Sequence, residues 1–336
     1  MLTCFKNPNH PTHQTIVLEN DTLKATFSNF GCTLQSLCYK PLQRETVLSL
    51  DHLEDQMEQG FYLNTIVGRV ANRIDNGHFT LDGILYTLPI NSPPHHLHGG
   101  PIGFNRKFFE VRIQDETLVL KHTSPNQDQG YPGTLEIEAR YHLEESSLII
   151  EFITQSDQKT LADLTQHTYF NLNENKSIPI GNHRLHLNSD SFRALNASGC
   201  TDLDIIPFDE TDFDFSQSTL IQTALNSKHP QIIMAKGIDH YFPKKDLMNP
   251  WFSTLSIEGL SLQVETDLPG AHLYSGNYLS SSASLQAPFL RENGGICFET
   301  HHHPNSINYD IHLAPILLPH IQRHVRTVYT FIGENI

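Results

Sequence analysis

Five polar segments carry residue types able to move protons or bind hydroxyl groups: GRVANRI (68–74), HHLHGG (95–100), LTQHTYFNL (164–172), KGIDHYF (236–242) and FETHHHP (298–304). In an extended FETHHHP, Glu299, His301 and His303 share one face, with Thr300 and His302 on the other. A carboxylate beside imidazoles is the material of general acid–base chemistry. The same pattern also fits a solvated strand end. Three successive histidines cannot all turn toward one ion from a single strand, which counts against a metal there. His96 and His98 have the His-x-His spacing of metal-binding β-barrels, but no acid follows before Glu110. Gly99 and Gly100 predict instead a tight turn where backbone must come close to something.

The remaining segments are individually ambiguous. His167 and Tyr169 would share one face of a strand, where a single histidine is often a hydrogen-bonded structural residue. Arg69 and Arg73 stand four apart and fit a salt-bridged surface. Asp239 fits a turn in which it caps backbone amides. Together, however, a glutamate, two histidines, an arginine and an aspartate form an inventory suited to sugar hydroxyls, which bind carboxylate, guanidinium and imidazole groups. No nucleophilic serine motif, phosphate-cradling loop or dinucleotide fingerprint competes for the assignment.

The elements that must position these residues are strands. Leu135, Ile137, Ala139 and Tyr141 alternate with Glu136, Glu138, Arg140 and His142, as a strand with one buried face requires. Glu144 and Glu145 predict a turn, and Leu148, Ile150 and Phe152 resume the apolar face, giving a hairpin. Phe109, Val111 and Ile113 lead into Leu118 and Leu120 in the same way. Similar alternation occurs at Leu23, Ala25, Phe27, at Leu262, Val264, Thr266, and at Thr327, Tyr329, Phe331. No stretch has a sustained helical period, so helices should be few and short. With 19 prolines and 19 glycines marking loops, the pattern predicts an all-β chain folded as a large antiparallel β-sandwich, a single domain over 1–336. Ser198 to Thr223 reads as an acidic, irregular loop.

Composition narrows the partners. A net charge of −15 without any Lys/Arg run excludes a nucleic-acid or anionic-membrane partner and favours a neutral small molecule. The N-terminal residues lack the basic and apolar regions of a secretory signal, and no apolar run approaches the roughly 18 residues of a membrane span. A cytoplasmic protein, monomer or homodimer, is expected. Its five scattered cysteines should be reduced, without disulfides or a C-x-x-C metal site.

The five segments, in this order, resemble the aldose 1-epimerase (galactose mutarotase) family. The similarity extends through NFGCTLQSL (29–37), LDGILYTLPIN (81–91), GYPG (130–133), FDF (213–215) and LPGAHLYSGN (268–277), so it spans about residue 15 onward. The resemblance implies a galactose mutarotase-like sandwich, no cofactor or metal, and a shallow cleft for a monosaccharide such as galactose or glucose. It places the catalytic base on Glu299, the catalytic acid on His167, and substrate binding on Arg69, His98 and Asp239. At neutral pH this mechanism calls for ionised Glu299 and protonated His167. Two neighbours depart from the family pattern: Gln166 replaces the usual Asn, and His301 the usual Gln. An inert carbohydrate-binding protein, or an epimerase of a sugar phosphate or oligosaccharide, is the alternative.

Overall fold

The computed structural model describes residues 1–333 apart from 51, 212, 282–284, 286 and 288. The alternating segments pair as strands, because burying one face of each hides apolar side chains while every backbone group finds a cross-strand partner. Leu135–Glu144 and Ser147–Ser156 form the expected hairpin, with Leu143 opposite Leu148. Glu110–Gln114 and Thr117–Ser124 form the second. Both belong to a nine-stranded antiparallel sheet. In it Arg323–Gly333 lies between Ser147–Ser156 and Leu260–Thr266, and the sheet continues through Trp251–Ile257, Arg184–Leu187 and Thr219–Leu220.

A six-stranded sheet carries most of the chemistry described below. Its spatial order is Tyr169–Phe170, Ile296–Thr300, Gly270–Tyr274, Asp239–Pro243, Ser191–Leu195 and Thr201–Pro207, all antiparallel. The first five strands of the chain, from Leu2–Asn7 to Arg44–Glu45, make a third sheet. One apolar cluster joins all three: Phe27 meets Tyr141 with ring centroids 4.4 Å apart, and Leu273 and Phe298 are wholly buried in the same cluster. Full burial of each such side chain stabilises by about 1.5–3 kcal/mol. The antiparallel sandwich expected from the alternation is thus the observed architecture.

Among the described residues the α-helices are three and short, Leu53–Glu58, Ile221–Leu225 and Pro230–Ala235, and no helix is long and apolar enough to cross a membrane. All five cysteines are free. One expectation needs correction. The stretch from Ser198 to Thr223 is not irregular throughout: Thr201–Pro207 is an edge strand, and its outward Leu203 and Ile205 are each 53% exposed. An edge strand pairs on one side only, so the apolar alternation that marks a half-buried strand is weak there.

Candidate active site

The pleat of the six-stranded sheet gathers residues from four strands on one face. Glu299 lies directly opposite His272, Cys297 opposite both Tyr274 and Tyr169, and Asp239 opposite Tyr274. Residues opposite one another in register point to the same side. His272 Nε2 reaches Asp239 Oδ1 at 2.7 Å, so Asp239 is fixed by a side chain rather than capping a turn.

His167 does not lie within one strand, as LTQHTYFNL suggested. Thr165–Gln166 pairs with Ile66–Val67 and Tyr169–Phe170 with Ile296–Thr300, leaving His167 at the break between two sheets. Its backbone is held there by His167 N–H to Thr65 O at 2.8 Å and Asn64 N–H to His167 O at 3.0 Å. The side chain is free to leave the strand plane, and its Nε2 comes 3.5 Å from Glu299 Oε1.

His98 arrives from a third direction. The strand His96–Leu97 pairs with Arg73–Ile74 and ends there, since His98 turns to φ 51°. His96 and His98 therefore share no face: His96 Nδ1 bonds Pro89 O, while His98 Nδ1 accepts the Asn72 N–H at 3.1 Å. That acceptor role leaves the ring proton of a neutral His98 on Nε2, which points toward Glu299 Oε2 at 4.0 Å. Gly99, at φ 84°, follows because a Cβ there would lie 1.7 Å from Gly68 O. The turn thus brings backbone to backbone.

These groups line a cavity of about 240 Å³ that also includes Tyr62, Arg73, Tyr169, Tyr274 and Tyr278. This is smaller than the roughly 300–1,000 Å³ of pockets for drug-sized ligands and suits one sugar ring. Arg69 is not among the lining residues. Its guanidinium is buried and donates to Ser124 Oγ, Ser124 O, Pro125 O and Pro132 O, at 2.8–3.1 Å. It clamps the GYPG segment instead of facing the cavity. Arg73, the other arginine of GRVANRI, lines the cavity and has its Nε buried without a partner. Asn72 and Tyr62, both lining residues, were not singled out by sequence, nor was His272.

Burial dominates the electrostatics. It drives the His167 imidazole down to about 4, with the neighbouring His272 and His301 lowering it further and Asp239 opposing. It lifts Glu299 well above the ordinary carboxylate range, Asp239 adding to the lift and Arg73 opposing it. Burial also raises Asp239, but the His272 hydrogen bond and the charges of His272 and Arg73 outweigh it and hold the group below its usual value. Burial thus pushes both groups of the pair toward their neutral forms, Glu299 toward the acid and His167 toward the imidazole. The ionised Glu299 and protonated His167 that the mechanism calls for are both opposed by that burial. His98, His167 and Glu299 also bring donor atoms within 4.8 Å of one another, a set able to hold a divalent ion.

A model of the aldose 1-epimerase family matches residues 14–330. The chain belongs to the aldose 1-epimerase family. It is 32% identical over 308 residues to galactose mutarotase of Sus scrofa, covering 90% of this chain and 88% of the relative. It is likewise 32% identical over 316 residues to aldose 1-epimerase of Haemophilus influenzae, covering 91% and 92%. Among solved structures, galactose 1-epimerase from Lactobacillus acidophilus superposes with TM-score 0.88 at 28% identity, covering 100% of this chain and 99% of that one. An aldose epimerase homologue from C. elegans gives 0.87 at 27% identity, covering 96% and 100%.

Against the family pattern, the two departures beside the site occupy different surroundings. Gln166 faces the core: it accepts the Tyr141 hydroxyl at 2.8 Å and donates to Asn64 O and Cys32 O. It supports the strand and does not line the cavity. His301 is buried behind the site, its ring parallel to His272 at 6.3 Å, and its Nδ1 bonds His302 O.

Proposed function

We propose that the chain is an aldose 1-epimerase that interconverts the α and β anomers of a free aldohexose such as galactose or glucose, with Glu299 as base and His167 as acid. The observation carrying this reading is the approach of Glu299 Oε1 to His167 Nε2, 3.5 Å apart at the cavity. Ring opening takes the proton from the C1 hydroxyl and gives one to the ring oxygen. Rotation about C1–C2 and the reverse transfers close the ring on the other face. A pair holding one proton can serve both ends of that exchange.

The working pair carries its proton on His167 and none on Glu299, against the direction in which burial pushes both groups. Glu299 Oε2 is buried without a hydrogen-bond partner, and a sugar hydroxyl donating to it stabilises the carboxylate form. The Arg73 charge acts in the same direction. Arg73 and Asp239 would hold ring hydroxyls, and His98 Nε2–H would hold the C1 region, keeping both transfers in reach. Arg73 takes the role first expected of Arg69. It is also the single guanidinium or ammonium group among the described lining residues, beside two carboxylates. That balance does not suit a sugar phosphate. The net negative charge and five free cysteines fit a reducing cytoplasm, with the chain a monomer or homodimer.

The test is polarimetry of freshly dissolved α-D-glucose and α-D-galactose with EDTA present. Wild type should accelerate mutarotation, and Glu299→Gln and His167→Ala should each lose about 10²- to 10⁴-fold. Full activity in either variant would overturn the assignment.

A further inference from the structure

A second cluster of donors lies outside the cavity. Asp75, His95 and Cys200 come from three separated segments and place a carboxylate oxygen, an imidazole nitrogen and a thiol within 4.8 Å of one another. Asp75 follows the strand that presents Arg73. His95 precedes the strand that leads to His98. Cys200 closes the tight turn in which Asn196 N–H bonds Cys200 O at 2.9 Å. His95 and Cys200 are buried, while the Asp75 side chain is 36% exposed and leaves an open edge.

The hydrogen bonds of His95 point to a cation. Its Nε2 lies 3.1 Å from Ser198 O, which only an N–H can satisfy, and its Nδ1 faces the Asn76 N–H at 3.3 Å, which only a lone pair can satisfy. The same Nδ1 also lies 3.0 Å from Asp75 Oδ1, a contact that needs a positive charge, carried either by a second ring proton or by a metal ion. A metal ion there would take the Nδ1 lone pair from the Asn76 N–H, while the Nε2–H stays on Ser198 O. A histidine whose other nitrogen donates to a backbone carbonyl is the usual second-shell arrangement of a metal ligand.

We propose that Asp75, His95 and Cys200 bind a thiophilic divalent cation of the zinc class, pinning the 196–200 turn to the segments that carry Arg73 and His98. Ionised Asp75 and Cys200 together match the charge of such an ion. Zinc bonds of about 2.0–2.3 Å put tetrahedral donors roughly 3.3–3.6 Å apart, a spacing that side-chain rotation reaches from the 3.0 Å Asp75–His95 contact. Water reaches the fourth position through the edge at Asp75. Without a metal, burial and the Asp75 charge push the Cys200 thiol up to about 12, so metal binding releases a proton. The site positions the cavity rim and takes no part in the proton transfers, so its failure would leave the proposed reaction standing.

Cobalt(II) is the probe, titrated anaerobically into the full chain and read by thiolate-to-metal absorption in the near ultraviolet. Wild type should bind one equivalent with this band. Cys200→Ser should lose the band, and Asp75→Asn and His95→Ala should weaken binding at least tenfold. Cys297→Ala and Glu299→Gln should keep the band, because Glu299 lines the other cavity and Cys297 lies against His167 beside it. No thiolate band in wild type, a band that survives Cys200→Ser, or a band that vanishes in Cys297→Ala would overturn the site. If Cys200→Ser does not fold, Asp75→Asn carries the test, since its side chain reaches the surface and unchanged affinity overturns the proposal.

Discussion

His272 stands directly opposite Glu299 in the sheet register and, through its Nε2, holds Asp239 at 2.7 Å. One imidazole thus couples the strand of the proposed base to the strand of a proposed sugar ligand. Hydrogen bonds to charged groups are worth about 1.5–3 kcal/mol. His272→Ala should therefore raise KM for the hexose by roughly ten- to a hundredfold, with kcat changed less. His272→Gln, which keeps a donor, should recover part of the loss. Initial rates over a range of sugar concentrations separate the two parameters, and an unchanged KM in His272→Ala would sink the coupling.

The pH profile follows from the shared proton. His167 titrates at about 4, and below that pH the pair holds two protons and has no base. Above the raised value of Glu299 it holds none and has no acid. Activity should therefore fall on the acid side near pH 4 and fall on the alkaline side above the raised value of Glu299, well above the ordinary carboxylate range. An acid limb near 6.5 in kcat/KM would show that His167 is not the low-titrating group.

Stability should respond to acid through the buried histidines. His96, His167, His183 and His301 are held down to about 4 and His240 to about 3, each chiefly by burial. Unfolded histidine titrates near about 6.5. Between these limits the unfolded chain binds more protons, so stability is full above about 6.5 and is lost as pH falls toward 4. Each group contributes up to about 1.4 kcal/mol per pH unit. Tm measured from pH 7 to pH 4.5 should drop steeply, and a flat Tm over that range would contradict the neutral buried state.

The two arginines of GRVANRI should separate cleanly. Arg73→Ala should raise KM by at least tenfold and leave Tm within a few degrees. Arg69→Ala removes the guanidinium donors to Ser124, Pro125 and Pro132 and should destabilise by about 1–3 kcal/mol for each buried acceptor left unsatisfied. The folded fraction of Arg69→Ala should retain the wild-type KM. Denaturation curves and steady-state rates decide between the roles.

What could be seen in the chain was what local periodicity encodes. The hairpin of Leu135–Glu144 with Ser147–Ser156 is legible because alternation and turn lie within one short stretch. Glu299, His167, His98 and Asp239 could be picked out by family resemblance, and the fold does bring them to one cavity. Arg69 against Arg73 was not legible, because both are arginines in the same segment and only the distant Ser124–Pro132 backbone decides which one is enclosed. The Gln166 departure was likewise misleading from sequence. It adjoins His167 in the chain, but the break between two sheets sends the two side chains to opposite surroundings. The sequence signal for His272 was weak too, since it sits in an otherwise apolar strand and matters only through its cross-strand neighbours.

Arg323–Gly333 joins the two halves of the nine-stranded sheet, pairing with Ser147–Ser156 on one side and Leu260–Thr266 on the other. It is also the last described strand in chain order. During synthesis the hairpins of the middle third leave the ribosome early, yet their exposed edge at Ser147–Ser156 must wait for the final strand. The two half-sheets can therefore join only once that strand has been made, which makes their union the step of largest sequence separation in the large sheet.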